Sequence, residues 1–324
     1  MRRRDTLAFI LAAGAAPFAL QAQSTKVHRL AWLSGSAVAP SDVWKEFLAG
    51  MRKYGWDDGR NFTVENLRYG GDNERLVAVA AEAVRNKVDL IVAAGTPPAV
   101  AAKNATSAIP IVFYFVGDPI GSGLVSNLAR PGGNVTGLGG FGAGVYAKML
   151  ELLVEAVPKA RRIAMLINPA FPAHATFSAD AEAAARTRNV TLVPIELRSP
   201  SELETAFAAI ARSKPDALLI LGQPFLFTLG PRLAGMAREH RLPAMSPIEH
   251  VTQEGLMMSY GSRIVDDARR VPYFVDRILR GDSPGTLPVE QPTQFYLAIN
   301  KKTAKAFGVT IPPALLQRAE LVFE

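Results

Sequence analysis

The residues best placed to do chemistry in this chain lie in short polar turns that follow apolar runs, and two of these turns are near copies. Asp89 is followed six positions later by Gly95 and then Thr96-Pro97. Asp216 is followed six positions later by Gly222 and then Gln223-Pro224. A third turn, Gly117-Asp118-Pro119, closes another apolar run. Hydroxyls, an amide and a carboxylate at such places can hold a small molecule by hydrogen bonds. Bond-breaking chemistry has less support. There are no cysteines, which removes catalytic thiols, disulfides and thiolate metal sites together. His28, His174, His240 and His250 are scattered without ligand spacing, so no metal site is expected. Ser34, Ser246, Ser259 and Ser262 have no G-x-S-x-G elbow around them, and the chain has no phosphate-binding P-loop. Asp118 reads as a turn residue holding backbone N–H groups rather than a general base, and it is kept as a residue facing a ligand.

One motif competes with this reading. Gly137-Leu138-Gly139-Gly140-Phe141-Gly142 satisfies G-x-G-x-x-G, which in a dinucleotide site follows a strand and opens a helix. Here it falls between two α/β halves. It is read instead as a crossing that lets the halves rotate, so no cofactor is expected.

The elements that must position these turns follow a strand–helix rhythm. Apolar runs over 28–35, 89–95, 109–116, 162–167, 217–221 and 243–246 show no polar alternation, as expected of parallel strands buried on both faces. A further strand is expected at 62–69. Helices are expected over 41–54, 73–87 and from 96, capped by Ser41, Asn73 and Thr96. The cycle then restarts, with strands at 190–197, 256–259 and 294–299 and helices at 173–188, to 214, 263–280 and 301–308. Strands separated by helices imply parallel βαβ units. The polar turns then gather at strand carboxyl ends, where open α/β sheets bind ligands. Two such units give two lobes with facing edges and a cleft between them.

Bulk properties agree. The 324 residues are 49% hydrophobic, enough for two cores. Arg2, Arg3 and Arg4 precede a nearly apolar stretch to Leu20, and Ala22 supplies a small residue for cleavage before Gln23. Residues 1–22 are therefore read as an export signal, Sec or twin-arginine, leading to a periplasm. Without them 33 basic residues face 28 acidic ones, a net charge of +5. The basic residues are dispersed as pairs such as Arg161/Arg162 and Arg269/Arg270, with no aromatic-interleaved stripe, so nucleic acid is not expected as a partner.

Longer stretches carry a resemblance. Asp118-Pro119 with Gly123-Leu124-Val125-Ser126-Asn127-Leu128-Ala129-Arg130-Pro131-Gly132-Gly133-Asn134-Val135-Thr136-Gly137 closely resembles the signature of periplasmic substrate-binding proteins of ABC transporters whose best-known relatives bind tryptophan or tyrosine. Met258-Ser259-Tyr260-Gly261, Gln291-Pro292-Thr293 and Ile299-Asn300-Lys301-Lys302-Thr303-Ala304-Lys305 match as well. The resemblance implies the type I periplasmic binding-protein fold. Its two Rossmann-like lobes are joined by three crossings, with 23–139 and 262–289 in one and 140–261 and 290–324 in the other. It implies no catalysis, a monomer, a small-molecule ligand and an ABC permease in the inner membrane as partner. A periplasmic sensor for a membrane receptor would share these features, and a Rossmann-like enzyme using the Gly137–Gly142 loop is a third reading.

Carried over, the resemblance implicates Ser34, Gly35, Ser36, Gly95, Thr96, Gly117 and Asp118 in the first lobe. In the second it implicates Asn168, Gln223, Phe225 and Ser246, with Phe141 and Tyr260 near the crossings. Thr96 at a helix start suits a carboxylate, although Pro97 and Pro98 remove amide donors there. Phe141, Phe225 and Tyr260 are expected to sandwich an apolar or aromatic group. Many relatives carry Asp where this chain has Gln223. Either Asp118 is then the acid facing the cleft, or the ligand is not an amino acid.

Overall fold

The computed structural model describes residues 26–35, 41–70, 72–140, 144–171, 173–223 and 225–324. The expected export signal, Ser36 and Phe141 lie outside the described residues.

The first lobe is built from β1 (His28–Ser34), α1 (Ser41–Lys53), β2 (Phe62–Arg68), α2 (Asn73–Arg85), β3 (Leu90–Ala94), α3 (Thr96–Ala105), β4 (Ile111–Val116) and β5 (Val135–Gly139). Its sheet is parallel throughout, in the order β2-β1-β3-β4-β5. The second half begins with α4 (Val145–Ala156), β6 (Arg162–Ile167), α5 (Ala173–Arg188), β7 (Thr191–Glu196), α6 (Leu203–Ser213), β8 (Ala217–Ile220), α7 (Leu226–Glu239), β9 (Ala244–Ser246), α8 (Glu249–Gln253) and β10 (Met258–Gly261). The chain then makes α9 (Ile264–Leu279), which packs on α1, β4 and β5 in the first lobe. It ends with β11 (Tyr296–Asn300), α10 (Lys301–Ala306), α11 (Pro313–Gln317) and β12 (Leu321–Phe323). The second sheet runs β12-β11-β10-β9-β8-β6-β7.

The continuous apolar runs are explained by burial on both faces. In the first lobe, Ala31, Leu33, Ile91 and Ala93 enter the core under α2 and α3, while Leu30, Trp32, Leu90 and Val92 enter the core under α1 and α9. In the second, Ile163 and Met165 face α4 and α5, while Ala164 and Leu166 face α6 and α7. The repeated Asp has the same task in both lobes. The Asp89 carboxylate accepts Arg29 N–H at 2.8 Å, and that of Asp216 accepts Arg161 and Arg162 N–H at 2.8 and 2.9 Å. Each ties the amino end of one strand to the start of its neighbour. The two amide bonds hold the Asp216 carboxyl below its ordinary range.

Several expectations change. β11 runs antiparallel to β10, so the second sheet is not wholly parallel. α2 is capped by Asp72, whose side chain accepts Glu74 and Arg75 N–H, and not by Asn73. α3 is capped by Gly95 at φ +93°, which makes Thr96 the first helical residue. Gly137 and Gly139 are not part of a loose crossing: both are buried in β5 against β4. A Cβ at Gly137 would stand 1.9 Å from the Phe113 carbonyl oxygen. The chain leaves this sheet only at Gly140, φ +87°.

Candidate functional site

The parallel pairing of β1, β3 and β4 brings Ser34, Gly35, Gly95, Thr96, Gly117 and Asp118 to one edge of the first sheet. The pairing of β6, β8, β9 and β10 does the same for Asn168, Gln223, Ser246 and Tyr260 in the second. Phe115, at the end of β4, bridges the two. Its ring packs against the first-lobe core under α9 and against the second-lobe core under α6 and α7. Its φ of +57° coincides with a register slip between Phe113 and Val116 in the β4–β5 pairing.

Several expected site groups are already engaged. The Asp118 carboxylate accepts Ile120 and Gly121 N–H at 3.1 and 2.8 Å, an Asx turn that shapes its own loop. Asn168 accepts Ala170 N–H through Oδ1 at 3.0 Å, and Ser246 Oγ accepts Ile248 N–H at 3.0 Å. Gly35 lies against Tyr69, whose hydroxyl would stand 2.8 Å from an added Cβ. Thr96 and Ser34 are buried at the edge. Phe225 packs with the core under α6 and α7, whereas Tyr260 stacks on Phe295 at 5.9 Å and joins the core on the other face of the sheet. Those two rings are therefore drawn to opposite faces of the second sheet.

Gln223 differs from all of these. It is 4% exposed, and among the described residues neither Oε1 nor Nε2 has a hydrogen-bond partner. Buried amides almost always find partners, and an unpaired one costs about 1–3 kcal/mol. The backbone beside it is rigidly held. Gly222 N–H donates to the Tyr146 hydroxyl at 3.1 Å, and Gly222 C=O lies 2.9 Å from His174 Nε2. Asn168 N–H donates to His174 Nδ1 at 2.7 Å, which makes Nε2 the protonated nitrogen and the donor to Gly222. Burial pushes His174 down to about 4, against a smaller upward pull from the Gly222 carbonyl, so the ring is neutral. Tyr146 stacks on Phe177 at 4.3 Å. Neither His174 nor Tyr146 stood out in the sequence. His174 is a lone histidine at a helix start, and only the fold places it between two strand ends.

A second engaged-but-incomplete group lies in the first lobe. Asp267, in the first turn of α9, is 5% exposed beside the Phe115 backbone, yet among the described residues its Oδ2 has no hydrogen-bond partner. In the sequence it is an ordinary first-turn acid. Among the described residues no group of three or more His, Cys, Asp or Glu could hold a metal ion.

Comparison with known proteins agrees with this geometry. The family model described as ABC transporter substrate binding protein matches residues 34–323. A tyrosine-binding protein of Clostridioides difficile is 28% identical over 266 residues, covering 82% of this chain and 76% of that protein. A conserved domain protein from Vibrio cholerae superposes with a TM-score of 0.85 at 27% identity, covering 92% of this chain and all of the other. An ABC domain from Streptococcus pneumonia in complex with L-Trp gives the same TM-score and coverages at 24% identity. A leucine-binding protein from Thermotoga maritima shares the fold more distantly, with a TM-score of 0.55 at 14% identity and 80% of each chain covered. With its two α/β lobes of the type I periplasmic binding fold, this chain belongs to the ABC transporter substrate-binding protein family.

Proposed function

We propose that the protein is the exported solute-binding component of an ABC importer, and that it captures a small polar molecule between its lobes. An amino acid or another aromatic or carboxylate-bearing compound fits best. The observation that carries this reading is the buried Gln223 amide. It offers one acceptor and two donors from a rigid frame at the edge of the second sheet, with no partner among the described residues. A ligand carrying both donors and acceptors would complete it. Ser34, Gly95 and Thr96 line the opposite edge, and the start of α3 suits an anionic group, chiefly through the Thr96 hydroxyl.

Two comparisons support the choice of ligand class. A relative is named for binding tyrosine, and a similar structure was solved with L-Trp. In this reading residues 1–22 direct export to the periplasm. Residues 23–139 with 262–289, and 140–261 with 290–324, are the two rigid bodies, and a monomer delivers its cargo to a permease.

The test is calorimetry on the chain from Gln23, against amino acids, small carboxylates and purines. A ligand at 100 times its dissociation constant should add about 2.7 kcal/mol of stability. Gln223→Ala should weaken that ligand about tenfold or more. If no small molecule binds, or if the Gln223 variant binds as well as the parent, this function is wrong.

A further inference from the structure

We propose that Asp267 is the first-lobe carboxylate that receives the cationic end of the ligand, facing the Gln223 amide across the interlobe gap. The inference rests on the binding function just given and adds a residue that the family signature did not single out.

The argument begins with an incomplete group. Asp267 is buried, the Phe115 backbone draws its carboxyl down, and among the described residues its Oδ2 has no hydrogen-bond partner. A buried carboxylate normally has a counter-ion or several donors. Among the described residues its surroundings supply no counter-ion. The crossing that leads into α9 carries Arg263, 2.9 Å from Glu249. On α9 itself, Arg269 pairs with Glu46 of α1 and with Asp266, and Arg270 forms a two-pronged bridge to Glu290 at 2.8 and 2.7 Å. β4 presents Tyr114, whose phenol is pushed up by burial and by the Asp267 charge, and β5 carries no titratable side chain. Asp266 adds a like charge. Among the described residues no cation forms a salt bridge to Asp267.

Its position is equally telling. The backbone that acts on its carboxyl belongs to Phe115, the residue whose ring touches both lobes. Ser262, at the crossing, is 4% exposed and its Oγ is also unpartnered. A buried carboxylate oxygen with no counter-ion is a natural acceptor for a hydrogen-bond-donating cation such as an ammonium group. Asp118, the acid the sequence favoured for this task, has its carboxylate committed to its own loop. Burial, with the charge of Asp266, pushes the Asp267 carboxyl up to about 7. A bound ammonium would therefore ionise it, and its proton would pass to solvent.

The test uses the chain from Gln23 with L-tryptophan and L-tyrosine, and with their deaminated counterparts indolepropionate and hydroxyphenylpropionate. Asp267→Asn should weaken the amino acids at least about tenfold and the deaminated acids less than about threefold. In the parent, amino-acid affinity should fall about tenfold per unit as pH drops below about 7, and the Asn variant should lose that dependence. The ligand-free Asn variant should unfold at the parent's temperature or above it, because it removes an uncompensated buried acid. Equal binding by parent and variant, equal loss for both probe sets, or a ligand-free variant that melts several degrees lower would overturn the assignment. Gln223→Ala separates the two failures. If it weakens binding while Asp267→Asn does not, only the Asp267 proposal falls. If neither variant changes binding, or the parent binds no probe, the cleft reading falls too.

Discussion

His174 shows how one residue sets the stage for another. Its two ring nitrogens join Asn168 at the end of β6 to Gly222 beyond β8, and so fix the base from which Gln223 projects. The join needs a neutral imidazole, which gives it a pH signature. The folded value is about 4 against an ordinary 6.5, so its contribution to stability is complete above about 6.5 and is lost as pH falls through 4. The size is on the order of 3 kcal/mol. Asp267 has the opposite sign. Its folded value is about 7 against 3.8, so the stability it adds is complete below about 3.8 and is lost as pH rises through 7. Urea denaturation across this range should resolve the two. His174→Ala should cost about 2–4 kcal/mol near pH 7.5, because it leaves two buried backbone groups unpaired. Its remaining stability should decline from about pH 4 to 7, whereas the Asp267→Asn variant should gain stability over the same range. Parallel profiles for the two variants would refute this assignment of charge states.

At the scale of elements, β5 decides how the first lobe ends. Its sequence, Val-Thr-Gly-Leu-Gly, is a weak strand former, yet all five residues are buried. The glycines are there because β4 bulges between Phe113 and Val116 and its backbone closes on β5. An added Cβ at Gly137 or Gly139 would stand 1.9 or 2.5 Å from a β4 carbonyl oxygen, and Gly137 has φ +148°. Gly137→Ala should therefore destabilise the protein by about 2–4 kcal/mol, through strain and displacement of β4. Thermal unfolding that matched the parent would show that β4 and β5 are not held this closely. The same pairing disposes of the dinucleotide motif. Its first two glycines serve strand contact, so they are not free to cradle a pyrophosphate.

For the whole molecule, what matters is where the lobes are tied and where they are free. Glu290 N–H donates to Gly137 C=O, Gly139 N–H donates to Glu290 C=O, and the Glu290 carboxylate grips Arg270. The last crossing is therefore fixed to the first lobe as far as Glu290. Gly140 and Gly144, both at positive φ, flank the first crossing, and Gly261 with Ser262 begins the second. Rotation about these points would carry the edge holding Gln223 towards or away from the edge holding Thr96. Small-angle scattering should record a smaller radius of gyration once the ligand found by calorimetry is added. A profile indifferent to a ligand that demonstrably binds would rule out closure by rotation.

How much of this was legible beforehand divides by physical cause. Doubly buried parallel strands show themselves as apolar runs because each residue meets a core whichever face it takes. The Asp–Gly–Pro repeat was visible because each copy performs the same local task. The stretch from Asp118 to Gly137 was distinctive enough to indicate the family. Strand direction leaves no such trace, so in the sequence antiparallel β11 looks like its neighbours. The caps lie one residue before the expected positions, at Asp72 and Gly95, because neighbouring turn-forming residues are equivalent until the backbone turns. Gln223 could be chosen from the sequence, but its lack of partners could not. Asp267 looked like any first-turn acid, and His174 like a stray histidine. Sequence determined which segments would be strands and helices, since periodicity and turn chemistry act over a few residues. Only the tertiary structure decided which polar groups were satisfied, because desolvation and hydrogen bonding there depend on residues far apart in the chain, such as Asp267 with Phe115 and His174 with Gly222.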